Sequence, residues 1–199
     1  MCSSDLHPLS DDAIRRLRAA GVTVALGHSA ANYELYQTAV TAGATHATHL
    51  FNAMGGVDHV QSGLATFVLT DDRVTFSAIA DLQHVHPLVL QLMWQAAGSR
   101  MSVVSDQVGN DGVLNEGSSA RLRGAVTGLD TSVRNLVQRC AVPLVDALSM
   151  VSERPARLLG LNDRGMLRTG TRADIVLLDD DLSLQIVVCA GFPRSVSGN

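Results

Sequence analysis

The chain has 199 residues, 46% hydrophobic and 17% charged, the balance of a packed globular protein with a real core. Its formal charge of -4, with no Lys/Arg cluster, excludes an electrostatic case for nucleic acid or an anionic membrane surface as partner. Cys2, Cys140 and Cys189 are odd in number, far apart and without CxxC spacing, which excludes a disulfide framework and a cysteine zinc site and suits reduced thiols in a cytoplasm.

The opening stretch MCSSDLHPLS has no basic region and no long apolar one, and nothing approaches the roughly 20 apolar residues of a membrane span, so neither targeting nor a membrane anchor is expected. Ser10, Asp11 or Asp12 is placed to cap a helix through DDAIRRLRAAG, with Gly21 as its stop, and VTVALGH then reads as a buried strand. Ser29 is placed to cap AANYELYQTAVTAG, where Tyr33, Tyr36, Val40 and Ala42 fall near one face; Gly43 ends this helix before a second strand, THATHLF. A Gly-rich loop, MGGVDHVQSG, leads to a short apolar segment at Leu64 to Leu69, the strand RVTFSAIAD, the helix HPLVLQLMWQAAG and the strand MSVVSD. Val113 to Arg123 reads as a polar loop, followed by a helical tract near Asp130 to Cys140 and by VPLVDALSMVS and RPARLLGL. The pattern then changes: RADIVLLDDDLSLQIVVCAG gives two β-rich runs about an acidic turn, Asp179 to Asp181, as part of a smaller β unit.

Alternation of helix and strand predicts a parallel α/β architecture whose sheet is buried on both faces under helices. His28, His49, Asp81 with His84, and Asp106 all stand at or just past the C-terminal ends of strands, where a (β/α) barrel keeps its active site. A doubly wound sheet has a similar pattern and is less favoured.

Neighbouring strands lie about 4.8 Å apart, so two histidines at neighbouring strand ends are placed to share one zinc ion. His28 and His49 fit that description; the bland reading makes either one a hydrogen-bonded core or capping residue. His46, three residues before His49, points to the opposite face of a strand and is expected to be structural. Asp106 closes an apolar strand, where an unpaired buried carboxylate is costly. Near a metal-bound water it could serve as general base and then general acid; otherwise it caps the next turn. His84 is placed to polarise a substrate carbonyl or hold a hydroxyl, whereas His86, before Pro87, reads as a helix start. The turn FNAMGG offers backbone N–H groups to an anion. Ser29 reads as a cap, and no Ser-His-Asp spacing or G-x-S-x-G elbow supports nucleophilic catalysis.

ALGHS, THLFNAM, IADLQHVHP and VVSD occur in the order found in N-acetylglucosamine-6-phosphate deacetylases of the metal-dependent amidohydrolase superfamily, and PARLLGL…RGMLRTGTRADIVLLD resembles the C-terminal signature of that superfamily. The resemblance runs through nearly the whole chain. It implies the C-terminal half of an eight-stranded (β/α) barrel of the TIM type, strands five to eight, over residues 1–165, with 166–199 as C-terminal strands of a small β-sandwich domain. It implies His28 and His49 as metal ligands, Asp106 as the catalytic aspartate, and His84, Asn52 and Ala53 as substrate-binding residues. The implied reaction is hydrolysis of the N-acetyl amide of an amino sugar, foremost N-acetylglucosamine 6-phosphate to glucosamine 6-phosphate and acetate, with zinc as cofactor and a cytoplasmic homodimer as the full-length enzyme.

Three departures accompany the resemblance. The family's acidic metal ligand lies in a segment before His28 that this chain lacks, so the chain reads as part of a longer enzyme. Val60 stands where the family commonly has an Arg that helps bind phosphate, with His59 as a partial charge nearby. A segment that lines the sugar pocket is shortened to TGLDTSVRNLV. The alternatives are therefore a non-catalytic remnant or binding module, and an amidohydrolase acting on another amide.

Overall fold

Helix and strand alternate from Asp11 to Val104, as the apolar periodicity predicts: α1 (Asp11–Ala19), β1 (Ala25–Leu26), α2 (Tyr33–Ala42), β2 (His46–Ala47), α3 (Leu64–Thr70), β3 (Thr75–Ile79), α4 (Pro87–Ala97) and β4 (Met101–Val104). The computed structural model describes residues 11–108, 113–116, 119–122, 124–125 and 127–194. Cys2 and Ser10, the latter one of the three residues predicted to cap α1, lie outside the described residues.

The four strands form one sheet in the order β1-β2-β3-β4, with β1–β2 and β2–β3 parallel. Phe76, Ser77, Ala78 and Ile79 of β3 are buried in succession, as expected of a strand covered on both faces. The fold class is thus α/β. The chain divides into two compact units: one runs through Ile79 and takes back Leu92–Ser102, the other holds Ala80–Gln91 and Val103 onward. The core of the first gathers Ile14, Tyr36, Leu50, Leu64, Phe76, Met93 and Met101, each at most 2% exposed.

The second unit continues with β5 (Val113–Glu116), β6 (Ser119–Leu122), α5 (Leu129–Cys140), α6 (Leu144–Val151), α7 (Glu153–Leu158), β7 (Ile175–Leu178), β8 (Leu184–Cys189) and β9 (Phe192–Arg194). Leu90, Leu136, Cys140, Ala147 and Met150 are fully buried within it. β7, β8 and β9 make a separate antiparallel sheet, giving the C-terminal β segment one more strand than the two apolar runs suggest. Gly191, at φ 85°, supplies the left-handed turn into β9.

One segment left unassigned is resolved and one local expectation is corrected. The short apolar run from Leu64, whose length carries no periodicity that separates a buried strand from a buried helix, forms α3. The stretch from Val113, read as a polar loop, contains an antiparallel pair, β5 with β6, in the register Val113↔Leu122 to Glu116↔Ser119. Backbone pairing of this kind needs no apolar alternation.

Candidate functional site

In the first unit, Ala25 pairs with His46 and Leu26 with Ala47, and Thr48 N–H donates to Leu26 O at 2.8 Å. Extending the register by two residues sets His28 beside His49. Their rings stack with centroids 4.5 Å apart and planes 16° from parallel. Gly27 makes this approach possible, since a Cβ there would lie 2.6 Å from Thr48 Cγ2 and 3.4 Å from His49 Cε1. His49 is also tied to the next strand: its N–H donates to Ser77 Oγ at 3.0 Å, and Leu50 N–H donates to Ser77 O at 2.8 Å. Ser77 is 1% exposed. Its role escaped the sequence reading, although a serine within the otherwise apolar run FSAIA was the available signal.

Both histidines hold left-handed backbone, His28 at φ 46° and His49 at φ 34°. Phe51, Ala53, Leu82 and Asp106 do so as well, so six of the nine non-glycine residues with positive φ among the described residues follow the C-terminal ends of β1 to β4. Each such residue costs on the order of 1–3 kcal/mol, and strain of this kind concentrates at functional sites.

The two stacked imidazoles offer adjacent nitrogen donors and fit two of the three protein positions that a catalytic zinc uses. Among the described residues, no group of three or more His, Cys, Asp and Glu side chains is gathered to hold a metal ion. His46 is bonded elsewhere. It is 6% exposed, its Nδ1 lies 2.9 Å from Thr75 Oγ1, and burial pushes its pKa down to about 4. Because the Thr75 hydroxyl donates to Thr45 O, His46 Nδ1–H is the donor in their bond.

Asn52 and Ala53 sit in the turn after His49, where Asn52 N–H donates to His49 O at 2.9 Å. The loop beyond them is pinched shut where Gly55 meets Gly63: a Cβ on Gly63 would lie 2.3 Å from the Gly55 backbone. Inside the loop, Asp58 Oδ1 accepts the N–H groups of Val60 and Gln61 at 2.8 and 2.7 Å, and these bonds hold the Asp58 carboxyl below its usual range. The adjacent cavity of about 600 Å³ is walled by uncharged groups, including Asn32, Tyr33, Val60, Gln61 and Phe67. Ser29, expected to cap α2, instead accepts from Ala31 N–H, and Asn32 Oδ1 caps the helix by accepting from Leu35 N–H at 3.0 Å.

In the second unit, β3 leads into Asp81 and His84. Asp81 Oδ1 accepts from the N–H groups of Gln83 and His84 at 2.9 and 3.0 Å, and Oδ2 meets His84 Nδ1 at 2.7 Å. Burial raises the Asp81 pKa, but the bonds from the His84 and Gln83 backbone and the His84 ring outweigh it and leave the carboxyl below its ordinary value. His84 Nε2 is buried with no hydrogen-bond partner among the described residues, a state that costs about 1–3 kcal/mol unless a ligand meets it. His86 starts α4, its Nδ1 accepting from Leu88 N–H and its carbonyl from Val89 and Leu90 N–H.

Asp106 follows β4 at φ 49°. Its carbonyl accepts from Ala125 N–H at 2.9 Å, and Gly124 must lack a side chain because a Cβ would lie 2.5 Å from Asp106 O. The residue is half-buried rather than sealed, with its backbone clamped at the strand end.

Residues 8–197 match the sequence pattern of the amidohydrolase family. The chain belongs to that family. Among curated amidohydrolase relatives, the N-acetylgalactosamine-6-phosphate deacetylase of Escherichia coli O157:H7 is 35% identical over 197 residues, covering 90% of this chain and 52% of its own length. The N-acetylglucosamine-6-phosphate deacetylase of Bos taurus is 35% identical over 207 residues, covering 92% and 50%. The solved N-acetyl-D-glucosamine-6-phosphate deacetylase of Mycobacterium smegmatis superposes with a TM-score of 0.82 at 35% identity, over 93% of this chain and 55% of that one. The chain spans about half the length of the curated relatives it matches. It is deacetylase-like in sequence and amidohydrolase in family. No helix among the described residues is long and apolar enough to cross a membrane.

Proposed function

We propose that this amidohydrolase, as part of a longer enzyme, hydrolyses the N-acetyl amide of an amino sugar, N-acetylglucosamine 6-phosphate foremost, to the free amine and acetate. The observation that carries the reading is the in-register pair of stacked histidines at successive strand ends, His28 and His49, in a chain of this family. These two would hold a divalent metal, zinc by donor type, with the remaining ligands supplied from outside the pair. A metal bound there supplies a Lewis-acid centre that makes water nucleophilic at neutral pH.

The chain's own residues do the rest. In this reading Asp106 takes a proton at its carboxylate from the attacking water and returns it to the amine nitrogen as the C–N bond breaks. His84 holds the substrate through Nε2, and the turn at Asn52 and Ala53 contacts the sugar. Because Asp58 already occupies the Val60 and Gln61 N–H groups, His59 is the group this loop has left to offer a 6-phosphate, and further charge has to come from beyond the loop. Residues 1–165 are read as strands five to eight of a TIM-type barrel and 166–199 as strands of a small β-domain, in a cytoplasmic homodimer; free Cys140 and Cys189 suit that compartment.

Zinc content and acetate release, measured on the purified protein and its His28→Ala and His49→Ala variants, test the reading. Stoichiometric zinc, lost together with acetate release in both variants, is the expected result. A folded protein with neither zinc nor turnover on phosphorylated or plain N-acetyl sugars would leave the binding-module reading instead.

A further inference from the structure

Asp81 and His84 form a pair that neither the metal nor the proton transfer above accounts for. The side chains are 3% and 5% exposed. Leu82, at φ 65°, turns the chain so that the next two N–H groups converge on Asp81 Oδ1, which leaves Oδ2 to the His84 ring at 2.7 Å. Asn135 Nδ2 donates to Ala80 O at 2.9 Å and pins the strand end from which the pair departs. The one ring nitrogen left over, Nε2, is buried without a hydrogen-bond partner among the described residues.

We propose that Asp81 is the positioning residue for His84: Oδ2 keeps a proton on Nδ1 and fixes the ring, so that Nε2 is the nitrogen offered to substrate. The inference rests on the reading of His84 as a substrate-binding group. A carboxylate only accepts, so whichever charge His84 carries, Nδ1 holds a proton toward Asp81. In the neutral ring Nε2 is therefore a bare acceptor. Of the two uses the sequence left open for His84, a bare Nε2 suits holding a hydroxyl of the sugar, because it has no proton with which to polarise a carbonyl.

Asp81→Asn gives a sharp test. Two backbone N–H groups claim Oδ1, so the amide oxygen of the variant stays with them and its NH₂ group faces Nδ1. The amide then donates to Nδ1 and drives the ring proton to Nε2. In ¹⁵N-labelled protein at mildly alkaline pH, long-range ¹H–¹⁵N correlation of the imidazole should show Nδ1 protonated and Nε2 bare in the wild type, and the reverse in Asp81→Asn. Deacetylation kcat/KM should fall roughly 10–100-fold in the variant. In a His84→Gln background, Asp81→Asn should cost nothing further. A wild-type neutral ring with its proton on Nε2 overturns the proposal, as does an unmoved proton in Asp81→Asn or a fully additive double variant. The wild-type spectrum stands on its own if the variant does not fold. The expected spectra without any acetate release would sink the deacetylase reading and leave Asp81 in this role.

Discussion

Gly27 shows how one missing side chain sets the geometry of the histidine pair. Any Cβ there must push Thr48 Cγ2 away from 2.6 Å, and Thr48 is the residue that feeds His49. Gly27→Ala is expected to destabilise the fold by roughly 1–3 kcal/mol, the usual cost of overpacking, and to weaken zinc binding with it. Adding Thr48→Ser removes the opposing methyl and should restore most of both, read by thermal melts and zinc titration; a double variant as damaged as the single one refutes the steric account. His46 carries a second residue-scale prediction. Burial lowers its folded pKa from 6.5 to about 4, so the unfolded chain binds a proton that the fold refuses. Stability is therefore intact above pH 6.5, declines as pH falls, and by pH 4 has lost on the order of 3 kcal/mol through this group. His46→Asn should flatten that part of the stability-versus-pH curve, measured by urea unfolding. At this scale the histidine pair was legible, because period-two strands and neighbouring strand ends leave few places for two imidazoles. Ser77 and Asp81 were not assigned roles, since a hydroxyl or carboxylate declares its partner only once the chain has folded.

The elements owe their limits to single side chains as much as to apolar periodicity. α3 ends where Arg100 reaches in: Nη1 donates to Val68 O at 2.9 Å and to Val74 O at 2.6 Å, and Nη2 donates to Leu69 O at 2.7 Å. One guanidinium thus meets Leu69 O and Val74 O and shares Val68 O with Asp71 N–H, and it also lies 5.9 Å from the Phe76 ring centroid. Arg100→Met keeps the apolar stem but strands Leu69 O and Val74 O, and should cost roughly 2–4 kcal/mol in denaturant unfolding. Arg100→Lys should recover only part of this, because an ammonium lacks the planar fork that serves several acceptors at once. An Arg100→Met variant as stable as wild type would show that the carbonyls find other donors. Helix and strand order was legible here from apolar periodicity alone, as in α2, whose cap is Asn32 rather than Ser29, and α5, which has no side-chain cap. The β5–β6 pair was missed for the opposite reason: its polar residues carry no alternation.

On the scale of the whole molecule, the family and the α/β class followed from strand-end residues and the C-terminal signature, and the reading of the chain as part of a longer sequence followed from the missing acidic-ligand segment: the chain matches about half of each of these curated relatives. The β7–β9 sheet bears on what that means in solution. Leu177 and Ile186 are cross-strand partners, 46% and 44% exposed, and Phe192 is 69% exposed. β7 and β9 are the edge strands of this sheet. Apolar side chains beside open strand edges favour association with other chains. The 199-residue chain alone is therefore expected to self-associate as its concentration rises, and Leu177→Lys with Ile186→Lys should suppress this by placing two like charges opposite one another on that sheet. Sedimentation velocity over a concentration series, with circular dichroism to confirm that the variant is folded, reads the difference. Concentration-independent sedimentation of the wild type, or equal association in the folded double variant, would assign the chain's association to some other surface.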